Sequence, residues 1–223
     1  MIRDVTRNAA GSAGRLRISA RAARIAIALA VAATLADASA WVLTINPGAR
    51  GAFLQVGVGS YSGFHNSGGT PLDNATVNTV SVAVPAAQVG RGVAQGMTSN
   101  STQAISFYDG FTVCTPPTQV YVGGWVRRPG SGPGSGVLSV TSPASLTSGA
   151  QTIPFTQISW TSTALGNPAA DIPAGTFTGG TQALRTIAAN TWVENCLTFS
   201  YANTAVAAAG TYTGQVVYTL VVP

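Results

Sequence analysis

His65 is the sole histidine of this 223-residue chain, Cys114 and Cys196 are its two cysteines, and its acidic residues number six. These are the groups from which acid–base, nucleophilic or metal chemistry would be built. Two of the acids, Asp4 and Asp37, fall in an arginine-rich leader, which leaves Asp73, Asp109, Asp171 and Glu194. A serine triad would have to join His65, in the loop-like Phe64–Gly69, to Asp73 or Asp109. No G-x-S-x-G turn supplies the nucleophile, and GVGSYSG at 57–63 has the wrong spacing, with no helix after it, for a dinucleotide loop. Glycoside hydrolysis needs two carboxylates about 5–10 Å apart, for which Asp109, Asp171 and Glu194 are the scattered candidates. One histidine and two cysteines are too few ligands for a transition-metal centre. Asp73 and Asn74 with nearby carbonyls are the remaining route to calcium. The reading is therefore a protein that is not an enzyme, with no catalytic, cofactor-binding or metal-ligating residues assigned.

Aromatic side chains offer a different chemistry, stacking against a sugar ring. Trp41, Trp125, Trp160 and Trp192 supply the material, but the last three sit in strand-like runs where rings are usually buried. The two cysteines are expected to form one disulfide, Cys114–Cys196, which implies an oxidising compartment. Parity places Cys196 opposite the Leu197/Phe199/Tyr201 face and Cys114 opposite the Phe111/Val113 face. If those apolar faces are the core, the bridge lies on the outer side of the sheet.

The compartment follows from the first 40 residues. Six arginines between Arg3 and Arg24 precede the apolar run Ile25–Leu35 and then Ala38-Ser39-Ala40. That order is a secretory signal peptide over residues 1–40, cleaved between Ala40 and Trp41. An organellar transit peptide shares the arginine-rich, acid-poor character, but the apolar run followed by A-x-A favours secretion. No later stretch approaches the roughly 20 apolar residues of a membrane span. The final location among periplasm, cell surface and medium is left open.

Dividing the charge at the same point changes the whole-chain impression. Of the net +5, residues 1–40 carry +4; Arg50, Arg91, Arg127, Arg128 and Arg185 set against four acids leave residues 41–223 with +1. A nucleic-acid partner is thereby excluded as an expectation. Nine charges in 183 residues is about 5%, against roughly 25% in ordinary domains, and lysine is absent. A surface solvated by Thr, Ser, Asn and Gln puts little repulsion in the way of self-association.

Positioning falls to strands, because the periodicity is two almost everywhere. Strands are expected near 41–46, 52–58, 76–84, 104–113, 118–127, 137–141, 152–161, 182–187, 192–201 and 211–222. The best helical stretch, Ala86–Met97, is interrupted by Gly90, Gly92 and Gly96. The fold class is all-β: an immunoglobulin-like or jelly-roll-like antiparallel sandwich of about ten strands. PGSGPGSG at 129–136 is either a hairpin tip or a linker between two sandwiches. A Cys114–Cys196 bridge would staple across it, which favours one domain over 41–223. AGTFTG at 174–179 recurs as AGTYTG at 209–214, each copy reading as a glycine turn followed by a Thr-aromatic-Thr strand entry with the ring inward.

The C-terminal run from Ala209 to Pro223, AGTYTGQVVYTLVVP, resembles the closing strand of exported bacterial β-sandwich subunits, namely the spore coat protein U domain and fimbrial subunits. The resemblance implies an immunoglobulin-like subunit of a surface coat or fibre, assembled by strand donation. The expected function is an exported structural or adhesive surface protein whose partners are copies of itself or other surface subunits. A secreted carbohydrate-binding module with a glycan partner is the alternative, and a secreted hydrolase ranks behind it.

Overall fold

The structure, a computed structural model, describes residues 50–129, 134–165 and 169–223. The expected leader, the Ala40/Trp41 cleavage point and the expected strand over 41–46 lie outside the described residues. Seven strands have five residues or more: β1 (Gly51–Val56), β2 (Val120–Arg127), β3 (Ser135–Thr141), β4 (Ile158–Thr163), β5 (Thr181–Ala188), β6 (Thr191–Tyr201) and β7 (Val217–Val221). The larger sheet runs β1-β2-β6-β4 and is extended by the two-residue strands Gln95–Gly96 and Gly175–Thr176. The smaller sheet runs β5-β3-β7. All these pairings are antiparallel. The described residues contain no α-helix, only short 3-10 turns, so the chain is all-β as its periodicity requires.

Alternation along β2 (VYVGGWVR) explains the layering. Val120, Val122 and Val126 point between the sheets, where they join Leu138, Val140 and Ile187 of the smaller sheet and Leu197 and Phe199 of β6. Tyr121 and Trp125 point the other way, into a second cluster with Phe53, Phe107, Cys114 and Cys196. The larger sheet is thus buried on both faces. Its outer cover comes from residues between β1 and β2, including Tyr61, Phe107 and Val113.

Several expected elements are altered. Over 76–84 only Val80–Ser81 pairs, with Thr98–Ser99, although Val80, Val82 and Val84 all pack on the main core. The strand expected at 104–113 is a reversal closed by an isolated Ile105–Thr112 bridge. Gly110 turns it at φ 85°, and Phe111 is 72% exposed rather than on a core face. The run over 152–161 divides into Gln151–Pro154, a 3-10 turn and β4. The final strand is confined to Val217–Val221. β2 and β3, which flank the Gly/Pro-rich stretch, do not pair as a hairpin but lie in different sheets. The repeated hexapeptides are used unequally. Phe177 is buried, with its N–H donating to the Ile158 carbonyl, whereas Tyr212 is half-buried and donates its hydroxyl to Ala208.

Candidate functional site

Glu194 is the group on which the site is built. On β6 the residues Trp192, Glu194 and Cys196 alternate with buried Val193, Asn195 and Leu197, so these three share the outer face. The Glu194 carboxylate accepts the Tyr121 hydroxyl at 2.7 Å, Trp192 Nε1–H at 2.9 Å, and Ser106 Oγ–H, which lies 2.9 and 2.8 Å from its two oxygens. Tyr121 reaches it because Gly123, directly opposite Glu194 in the β2–β6 register, has no side chain. A Cβ there would collide with the Tyr121 phenol. Burial, followed by the neighbouring Glu194 charge, pushes the Tyr121 phenol well above its ordinary pKa. Ser106 Oγ also accepts the Tyr108 backbone N–H at 2.9 Å. One carboxylate therefore ties the sheet to the covering segment.

His65 joins this cluster and is not an isolated surface-loop residue. It opens a 3-10 turn, His65–Ser67, whose backbone is pinned by His65 N–H to Phe107 O and Asn66 N–H to Tyr108 O. Its ring centroid lies 4.9 Å from Trp192, 5.5 Å from Trp125 and 6.0 Å from Tyr108. Nδ1 lies 3.3 Å from the Tyr61 hydroxyl. Partial burial, with the Arg127 charge second, holds the imidazole below its ordinary pKa.

The open side of this cluster is a hollow of about 540 Å³ lined by His65, Asn66, Tyr108, Leu165, Asp171, Asn190, Thr191, Trp192 and Glu194. It forms where β4 stops at Thr163, opposite Cys196. Buried Asn195 fixes the neighbouring chain, since its Oδ1 accepts Ile172 N–H at 2.6 Å and its Nδ2 donates to Thr163 O at 2.8 Å. Asp171 on the rim pairs with Arg185 at 3.5 Å.

The hollow brings together three of the expected candidates, His65, Asp171 and Glu194, and leaves Asp73 and Asp109 outside. Asp109 caps its own turn by accepting Phe111 N–H. Asn74 makes a local turn with Thr76 N–H and donates to Val58 O. Among the described residues, no three His, Cys, Asp or Glu side chains gather as metal ligands would. Cys114 and Cys196 form the disulfide. It sits on the outer face of β6, as parity requires, but within a second buried cluster and not at the surface. Trp125 and Trp160 are buried; Trp192 is half-buried at the hollow. Trp41 lies outside the described residues. Sequence reasoning missed Ser106, Tyr108, Tyr121 and Asn195. The Gly123-Gly124 pair within an otherwise apolar strand was the available signal for Tyr121.

Both carboxylates of the hollow have partners within the chain: Glu194 accepts three donors, and Asp171 pairs with Arg185. No helix among the described residues is long and apolar enough to cross a membrane. Compared with family models, curated proteins and solved structures, the chain matches none.

Proposed function

We propose that this is an exported surface protein with a structural or adhesive role and no catalytic activity, its sandwich serving as a subunit that packs against copies of itself. The observation that carries this reading is the outer face of the smaller sheet. In the β5-β3-β7 register its outward side chains form three cross-strand rows: Thr181, Thr141 and Val217; Ala183, Ser139 and Thr219; Thr186, Val137 and Val221. None is charged. The Thr141 and Thr181 hydroxyls lie 2.8 Å apart, while Val137, Val217 and Val221 are 39%, 49% and 56% exposed.

Natural sheets guard exposed faces and edges with lysines, prolines or bulges. Here β7 is an edge strand with no charge, and the one bulge is on the opposite edge, between Ala183 and Arg185. A second copy meets no like-charge repulsion on this face, and β-branched side chains suit sheet packing. The disulfide supports the extracytoplasmic half of the reading. Sedimentation velocity of residues 41–223 over a wide concentration range tests it. Oligomers that grow with concentration, and that Thr219→Lys with Val137→Lys disperses, support the reading. A strict monomer at the highest concentration refutes it.

A further inference from the structure

We propose that the hollow at the open end of β6 binds a neutral saccharide, one or two pyranose units of a glycan, with the Tyr108, His65 and Trp192 rings against the apolar sugar faces. The proposal stands on the hollow alone and does not depend on self-assembly. Its volume, about 540 Å³, falls within the roughly 300–1,000 Å³ of small-molecule sites. One wall is aromatic: Tyr108 is 40% exposed and its ring centroid lies 5.8 Å from that of Trp192. The rest of the lining is polar and mostly uncharged and includes Asn66, Asn190 and Thr191; the Asn190 amide is bonded to the Arg128 backbone, which leaves Asn66 and Thr191 to meet a ligand. Such side chains both donate and accept, as sugar hydroxyls do.

Charge narrows the ligand class. The two carboxylates of the hollow are already engaged, Glu194 by three donors and Asp171 by Arg185. No arginine lines the hollow to recruit phosphate or carboxylate. What remains for a ligand is ring surface and neutral hydrogen-bonding groups. The site is also built in advance. Tyr108 is held through its backbone by Ser106 Oγ and Asn66, and Trp192 by its bond to Glu194. Binding therefore orders few side chains, which lowers its entropic cost.

The test is saturation-transfer NMR and titration calorimetry of residues 41–223 with soluble neutral hexasaccharides of glucose, mannose and N-acetylglucosamine. Saturable binding of at least one, insensitive to added salt, is expected. Tyr108→Ala should weaken it about tenfold or more, and Asn66→Ala should weaken it too. Phe111→Ala removes a more exposed ring outside the hollow and should leave affinity unchanged. If Tyr108→Ala fails to fold, Asn66→Ala and the chemical-shift changes of the wild-type hollow decide the matter. Absence of binding to all three probes, salt-sensitive binding, or binding that Phe111→Ala abolishes while Tyr108→Ala and Asn66→Ala do not, overturns the proposal.

Discussion

Replacing Glu194 with alanine is expected to destabilise the sandwich by about 2–4 kcal/mol. Ser106 and Tyr121 are both 0% exposed, so their hydroxyls depend on this carboxylate as acceptor. Leaving a buried polar group unpaired costs about 1–3 kcal/mol. Two such groups set a range of about 2–6 kcal/mol; release of the carboxylate's own desolvation cost moves the expectation to the lower half. Trp192 Nε1–H adds little, because that residue is half-buried and water can replace its acceptor.

Urea denaturation with the disulfide intact is the assay. With an m value of about 2 kcal/mol/M, the midpoint should fall by about 1–2 M without a change in slope. Glu194→Gln keeps one acceptor oxygen and turns an amide toward the remaining donors, so a loss of about 1–2 kcal/mol is expected. The stronger check is a double-mutant cycle. In a Tyr121→Phe background one of the stranded hydroxyls is already absent, and Glu194→Ala should cost about 1 kcal/mol less than in the wild type. A Glu194→Ala midpoint within about 0.3 M of wild type, or no coupling to Tyr121, would refute the claim that one carboxylate anchors the covering segment.

Two further outcomes follow from the same geometry. Cys114→Ser should lose about 4 kcal/mol, the chain-entropy value for a bridge of sequence separation 82; wild type and variant migrating identically on a non-reducing gel would sink it. For His65, burial lowers the folded pKa below the ordinary value of about 6.5, so the unfolded chain binds the proton more readily. The contribution is full above about pH 6.5 and is lost as pH falls through the folded pKa. Urea midpoints of wild type should therefore drop relative to His65→Gln on acidification, and parallel profiles would contradict this.

How far the fold was legible depends on what alternation reports. It follows which way side chains point, and β2, β5 and β6 have long runs in which that suffices. At Val80, Val82 and Val84 the alternation does mark the core-facing side, for all three pack on the core, yet pairing stops after Ser81. Period two carries no information about whether a neighbouring strand is present. At 104–113 the pattern failed because Asp109 and Gly110 reverse the chain, which leaves Phe111 in solvent. Within the site, parity alone places Trp192 and Glu194 together. Ser106 and Tyr108 come from a loop whose position depends on long-range bonds to β6, and no local signal in the sequence encodes those.

Those long-range bonds also explain how so sparsely charged a chain holds a fixed hollow. The covering segment meets the outer row of β6 at two points, Ser106 on Glu194 and Cys114 on Cys196. The two anchors are two residues apart on β6 and eight apart on the loop, so they clamp the reversal at Gly110 between them. Tyr108 lies inside the clamp, and His65 is hydrogen-bonded to it through Phe107. One anchor is covalent; the other is a single carboxylate shared by three donors. Charge is rare in this chain, and at Glu194 it is half-buried where it joins β2, β6 and the cover. Loss of either anchor should therefore loosen the aromatic wall of the hollow while the alternating core on the opposite face of β6 stays closed.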